Sequence, residues 1–253
     1  GLVSICIDIP CIDIFEIYEL FIDKYSFSSF WEEDNQMSYI ALEKCKYVTL
    51  EGSRKFKVAK EFNADNFKNL LNLTDESNKY SLSKIIYFFS FSDNLKKKYS
   101  ACDVPGLEAI LPKILIIKHK NNCWLRINAH VEGKSSLRTL IEELWSIRDQ
   151  ILYSKKQKIK KILDFPTMES SELSNNHLER LINKGIQLVE EGTLDKIVLA
   201  TRVKIAIQNK LNLIPILKNL KTNQTNTCRY VWRRNSKDII FGASPEKLFS
   251  LSK

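Results

Sequence analysis

Long apolar runs are missing from this chain: nothing approaches the length needed to cross a bilayer as a helix, and no secretory leader opens it. No membrane partner is therefore expected. The first residue is Gly rather than Met, which fits a trimmed start. Residues that ligate soft metals are sparse and scattered. The six cysteines (6, 11, 45, 102, 123 and 228) include no C-x-x-C pair, and the three histidines (119, 130 and 177) do not cluster, so a zinc site is not expected. A reducing, cytoplasmic compartment is the expectation. Internal repeats and low-complexity stretches are absent as well.

What remains is an ordinary globular composition. The 253 residues suffice for one large domain or two small ones, and 44% hydrophobic residues can fill a sizeable core. The net charge of +9 raises the question of an anionic partner. One dense lysine run spans 155–161 and another 96–98. A basic nucleic-acid-binding module is one reading, and it predicts steeply salt-dependent binding. The simpler reading is a solvated helix face, because no nucleic-acid-binding motif accompanies the charge; no nucleic-acid partner is expected.

Along the chain, residues 2–9 alternate as a strand with Val3, Ile5, Ile7 and Ile9 on one face, and Pro10 ends it. Ile14, Ile17, Tyr18, Phe21 and Ile22 recur at helical spacing. Short strands are expected at 30–31, 37–42 and 47–50, and a helix over 62–73 with Asp65 as its cap. Residues 85–91 read as an apolar strand. Strands at 114–119 and 123–128 flank Asn121-Asn122, which suggests a hairpin turn. A long helix starts near Ser136. The Pro-, Ser- and Thr-bearing stretch 164–174 is the best linker candidate, and it gives an expected division into 1–165 and 166–253. A further helix follows, with Asn176 and Glu179 as a cap-like pair and Gly192 placed to close it. A short helix over 212–221 tolerates Pro215 only in its first turn. A hairpin over 227–242 then leads to Ser244-Pro245-Glu246, which reads as the start of a last helix. Strands and helices interleave without a regular βαβ rhythm, so the expected class is α+β with mainly antiparallel sheets.

The stretch Gly192-Thr-Leu-Asp-Lys-Ile-Val-Leu-Ala-Thr-Arg202 gives this order a chemical meaning. From Lys196 onward it reads as a buried strand, with Lys196, Val198, Ala200, Arg202 and Lys204 on one face. A lysine at the dry rim of a cleft, near other cations, has its pKa lowered and can act as a base. A solvated strand end is the competing reading. Fifty residues after Lys196 stands Glu246, inside Phe241-Gly-Ala-Ser-Pro-Glu-Lys-Leu248. Here the competing reading is a helix-start carboxylate, kept ionised by the helix dipole.

Together, and at this separation, the two stretches resemble the chorismate-binding enzymes, most closely the isochorismate synthases of menaquinone and phylloquinone type. The N-terminal order of Phe30-Trp31, then Ala41-Leu42, with Leu111-Pro112 further on, is similar to that branch. The chain departs from the family at 87–91, where glycines are usual and Tyr-Phe-Phe-Ser-Phe stands, and at Thr201, where many relatives have Arg.

The resemblance implies a two-lobed α+β sandwich with large sheets and outer helices, with chorismate as the small-molecule partner and magnesium as the cofactor. It implies water addition at ring carbon 2 and loss of the carbon-4 hydroxyl, with Lys196 as base and Glu246 as acid. Lysine rather than glutamine at 196 points to the water-using branch. Salicylate synthase, another chorismate-using enzyme, and a non-catalytic remnant of the fold are the alternatives. The family's magnesium-binding glutamates lie beyond the segment matching Glu246. The ligands are thus expected past Lys253, the fold C-terminally truncated, and this polypeptide alone without turnover. Exposed apolar sheet surface is expected too, and a monomer.

Overall fold

A computed structural model describes residues 1–33, 36–74, 78–91, 104–154, 168–169, 175–199, 206–207, 211–235, 237–247 and 251. The lysine runs at 96–98 and 155–161, Thr201, Arg202, Lys204 and the expected 165/166 junction lie outside them. Two compact units emerge, one formed by Gly1–Lys160 with Ile216–Lys253 and one by Lys161–Pro215. The class is α+β, as expected.

The first unit is built on one large sheet. Its strands are β1 (Leu2–Ile9), β2 (Ser28–Glu33), β3 (Met37–Leu50), β4 (Leu70–Asn72), β5 (Ile86–Phe89), β6 (Leu107–His119) and β7 (Asn122–His130). Two later strands, β10 (Cys228–Arg233) and β11 (Ile239–Ser244), return to it. The order is β11-β10-β2-β3-β6-β7-β1-β4, with β5 also paired to β6. Every pairing is antiparallel except β1 with β4. The β6 strand serves two partners on one side: Leu107–Ile110 pair with β5 and Ile114–His119 with β7.

Three helices belong wholly to this unit: α1 (Ile14–Phe21), α2 (Lys55–Asn69) and α3 (Lys134–Ser154). Asp13 caps α1, its carboxylate accepting from the Phe15 amide at 2.9 Å. The apolar stripe of α1 is buried, with Phe15 and Tyr18 against Phe30. Burial pushes the Tyr18 phenol up to about 12, and its hydroxyl sits 3.0 Å from that of Ser28. Leu140, Leu144, Ile147 and Ile151 form the buried stripe of α3. A cluster around Phe27, Ile110, Leu115, Ile117, Trp124 and Trp232 fills one region of the core.

Several local expectations are corrected. The two short strands at 37–42 and 47–50 are one strand, β3, carrying an irregularity between Lys44 and Lys46 next to Glu43 at φ 56°. The helix expected over 62–73 instead runs over Lys55–Asn69, which places Asp65 in its interior, not at its cap. Leu70 and Leu71 fit the helical spacing but leave it to pair with Leu2 and Val3, because a ladder with β1 satisfies their backbone groups. The β6–β7 turn is Lys120-Asn121, one residue earlier than expected, with Lys120 at φ 54°.

The second unit holds β8 (Met168–Glu169), α4 (Asn175–Glu190) and β9 (Ala206–Ile207), with β8 and β9 paired antiparallel. Because α4 begins at Asn175, Asn176 lies in its first turn and not at a cap position. The last helix among the described residues, α5 (Leu213–Asn223), starts within this unit and ends in the other, and Pro215 stands in its first turn.

Candidate functional site

Lys196 is positioned by the end of α4. Gly192 takes φ 70°, a conformation that suits glycine, and the amides of Gly192 and Thr193 donate back to Val189 and Leu188. The chain then turns over the helix it has just left. A Cβ on Gly185 would sit 3.3 Å from Ile197 Cγ2 and 3.9 Å from Leu199 Cδ1, so the missing side chain lets residues 197–199 lie on α4. Ile197 and Leu199 face the helix, at 40% and 37% exposure, while Val198 is 81% exposed. The alternation read from the sequence is therefore present in this stretch.

The burial and the strand are not. Residues 196–199 join no ladder among the described residues, and Lys196 is exposed. Among the described residues, one helix covers one face of the segment, and Lys196 and Val198 on the other are exposed. The expected dry strand is thus corrected for 196–199: apolar alternation specifies which residues share a face, but only a neighbouring strand or sheet can bury both.

Glu246 is positioned by the β10–β11 hairpin. Tyr230 stands opposite Gly242 in the ladder and lies across it, so that a Cβ there would meet the phenol oxygen at 3.0 Å. The strand ends at Ser244, whose Oγ accepts from the Glu246 amide at 3.2 Å. Residues 245–247 are exposed and not helical, and the helix expected beyond them lies outside the described residues. Lys247 donates to Glu33 at 2.7 Å and to Gln36 at 3.4 Å, which pins this segment beside the end of β2. Glu246 itself is exposed. Lys196 and Glu246 belong to different compact units.

The sheet that carries Glu246 holds buried charge that the sequence reading missed. Glu32 is 4% exposed and accepts from fully buried Arg229 Nε at 2.6 Å and from Lys221 at 2.6 Å. Arg229 also donates to the Thr227 carbonyl at 2.7 Å, which secures the start of β10. Fully buried Glu108 accepts from Lys44 at 2.5 Å, and from the Trp232 indole and Arg234 at 3.3 Å each. Arg126 donates to the Ser81 carbonyl at 2.7 Å, Ser4 Oγ at 2.6 Å and Asn72 at 3.1 Å. Glu108, Arg126 and Arg229 each stand among the apolar residues of a strand, and that interruption is the signal that could have found them. Burial pushes the thiol of Cys228, the ladder partner of Ser244, up to about 12, and Glu33 and Glu32 add to the rise.

A recess of about 430 Å³ opens beside this network, lined by Asp13, Glu32, Glu33, Lys118, Lys120 and Lys221 among others. It has the size of a small-molecule site and carries both charge signs. Neither Lys196 nor Glu246 is among the described residues that line it. Among the described residues, no group of three or more His, Cys, Asp or Glu side chains converges in a way that could hold a metal ion. Magnesium therefore has no fitting donor set there. No helix among them is long and apolar enough to cross a membrane.

The sequence pattern of the chorismate binding enzyme family matches residues 1–253. Among solved structures, the fold is similar to that of MenF, the menaquinone-specific isochorismate synthase from Escherichia coli, with a TM-score of 0.60 and 15% sequence identity. The match covers 97% of this chain and 51% of that one, so the chain spans about half the length of the solved relative. No curated protein matches the sequence at a significant level.

Proposed function

Since the chain belongs to the chorismate-binding enzymes, we propose that it forms part of an isochorismate synthase, an isomerase that converts chorismate to isochorismate. The observation that carries this reading is the pair of stretches around Lys196 and Glu246, fifty residues apart, within a family match that spans the whole chain. Lys196 takes a proton from the water that adds at ring carbon 2. Glu246 gives a proton to the departing carbon-4 hydroxyl. Both roles require less solvent than the two side chains meet here, since a neutral lysine and a protonated carboxyl are each favoured by burial. The base and acid therefore become competent only when further protein surface covers them. Lysine at 196 favours this water-using reaction over the ammonia-using ones. Magnesium dependence is part of the proposal. Its ligands come from outside the described residues, and the two proton transfers are assigned to Lys196 and Glu246 alone.

The test is chorismate conversion followed by chromatography. The isolated 253-residue polypeptide is expected to give none, and detectable isochorismate from it would refute the need for further surface. In the full reading frame that encodes this chain, Lys196→Ala and Glu246→Gln are each expected to lower kcat by 10²-fold or more, about the contribution of a positioned acid or base. Full activity in either variant would remove that residue from its role. Chelation by EDTA is expected to abolish turnover, and readdition of magnesium to restore it.

A further inference from the structure

The described residues hold a second concentration of reactive groups, away from Lys196 and Glu246, where β1, β7 and α1 meet. Ile9, the last residue of β1, stands opposite Cys123 in the β1–β7 ladder. Pro10 then ends the strand, and the chain turns toward the Asp13 cap of α1. That turn brings the exposed Cys11 back onto the start of β7. The Cys11 side chain is in hydrogen-bonding contact with the thiol of Cys123, and its Sγ also lies 3.9 Å from the Lys120 carbonyl oxygen. Cys123 is 2% exposed, its sulfur accepts from the Ile12 backbone amide, and the Ile12 carbonyl accepts from Lys118 Nζ at 3.3 Å. Both cysteines are reduced in this structure.

We propose that Cys11 and Cys123 are a redox-modification site, forming a reversible intramolecular disulfide in reaction with a low-molecular-weight disulfide of the glutathione class. The two thiols are unequal, and the inequality sets the order of events. Cys11 is open to solvent, so its thiolate attacks one sulfur of the small disulfide. A mixed disulfide forms on Cys11 and one small thiol leaves. The thiolate of Cys123 then attacks Cys11 Sγ and expels the second small thiol. In sum, two protein thiols lose two electrons and two protons, and one small disulfide gains them as two thiols. Burial raises the Cys123 thiol to about 11, which keeps it protonated and unreactive toward external reagents. The mixed disulfide is the one electrophile placed within its reach, and the Lys118 ammonium nearby favours its thiolate.

The bond would join residue 11 to the second residue of β7 and fix the Cys11–Asp13 segment, so one rim of the recess lined by Asp13, Lys118 and Lys120 becomes rigid. In a reducing compartment such a bond is transient, as expected of a redox-responsive pair and not of a structural one.

The experiment uses the whole chain, reduced and then incubated with oxidised glutathione, followed by peptide mapping without reduction. The expected product is a linked peptide pair containing residues 11 and 123, with two glutathione molecules released per chain, and dithiothreitol restores both thiols. Cys123→Ser is expected to stop at a stable glutathione adduct on Cys11. Cys11→Ser, at an exposed position, is expected to leave residue 123 unmodified; it supplies the control should Cys123→Ser not fold. A wild-type reaction that halts at the Cys11 adduct, or that links Cys11 to any of Cys6, Cys45, Cys102 or Cys228, overturns the proposal. Modification of Cys123 in the Cys11→Ser variant overturns the assigned order.

Discussion

Two apolar, β-branched stretches, 114–117 in β6 and 197–199 after α4, look alike in the sequence and have different fates. Ile114, Leu115, Ile116 and Ile117 are fully buried, held between β3 and β7. Ile197, Val198 and Leu199 have a helix on one face and solvent on the other. Composition does not separate the two, and neither does alternation. Ladder partners do: a strand with a neighbour on each side has its amides and carbonyls satisfied and can bury both faces, whereas a lone extended segment can bury only the face it lays on a helix. The lesson applies directly to Lys196. Whether a lysine in such a place is dry is decided by what packs on the residues that follow it, not by their apolarity.

The comparison can be broken or sharpened by substitution. The largest effect is expected where the laddered sheet carries buried charge. Arg229→Ala leaves Glu32 without its buried guanidinium partner and is expected to cost about 3–5 kcal/mol in urea denaturation followed by tryptophan fluorescence. A cost below about 1 kcal/mol would mean that Lys221 and water satisfy Glu32 without Arg229. Next comes the direct contrast. Ile117→Ala is expected to cost about 2–5 kcal/mol through the cavity it leaves. Val198→Ala is expected to stay within about 0.5 kcal/mol, as an exposed substitution does. Equal costs would erase the distinction between the stretches. A smaller effect, about 1 kcal/mol, is expected for Asp13→Ala, which removes the cap of α1. Hydrogen exchange should show it as faster exchange confined to the first turn of that helix.

The smallest effect concerns pH. Tyr80 stacks on His119 with ring centroids 3.7 Å apart, and burial, then Lys120, then Lys79 lower the pKa of His119. A histidine whose folded pKa lies below its unfolded value binds fewer protons when folded. Its contribution is present above the unfolded value, about 6.5, and fades as pH falls through the folded one. His119→Asn should therefore lose slightly less melting temperature than the parent between pH 7 and pH 5. A steeper loss in the variant would reverse the assigned direction.

What the sequence discloses, and what it hides, follows from the same distinction. The strand over Leu2–Ile9 and the helix at Ile14–Phe21 are legible because local periodicity and a local cap agree with their tertiary partners. Gly192 is legible because a helix end needs a left-handed residue whatever surrounds it. The departure of Leu70 and Leu71 from α2 is not legible, since it is decided by pairing with residues nearly seventy positions earlier. Glu108, Arg126 and Arg229 are visible as charges among apolar strand residues, whereas Glu32, beside Glu33, is not, and which charge meets which depends on strand order. The chemistry proposed for Lys196 and Glu246 rests on family resemblance alone. In isolation each is an exposed residue that follows a turn or a strand end.

The pairing of Leu2 with His130 also sets a timetable. At about 5–20 residues per second, a ribosome takes roughly 6–26 seconds to travel between those two residues. Throughout that interval the apolar side of β1 has no β7 to rest against. Partner strands so distant along the polypeptide make for slow folding and a long exposure to aggregation.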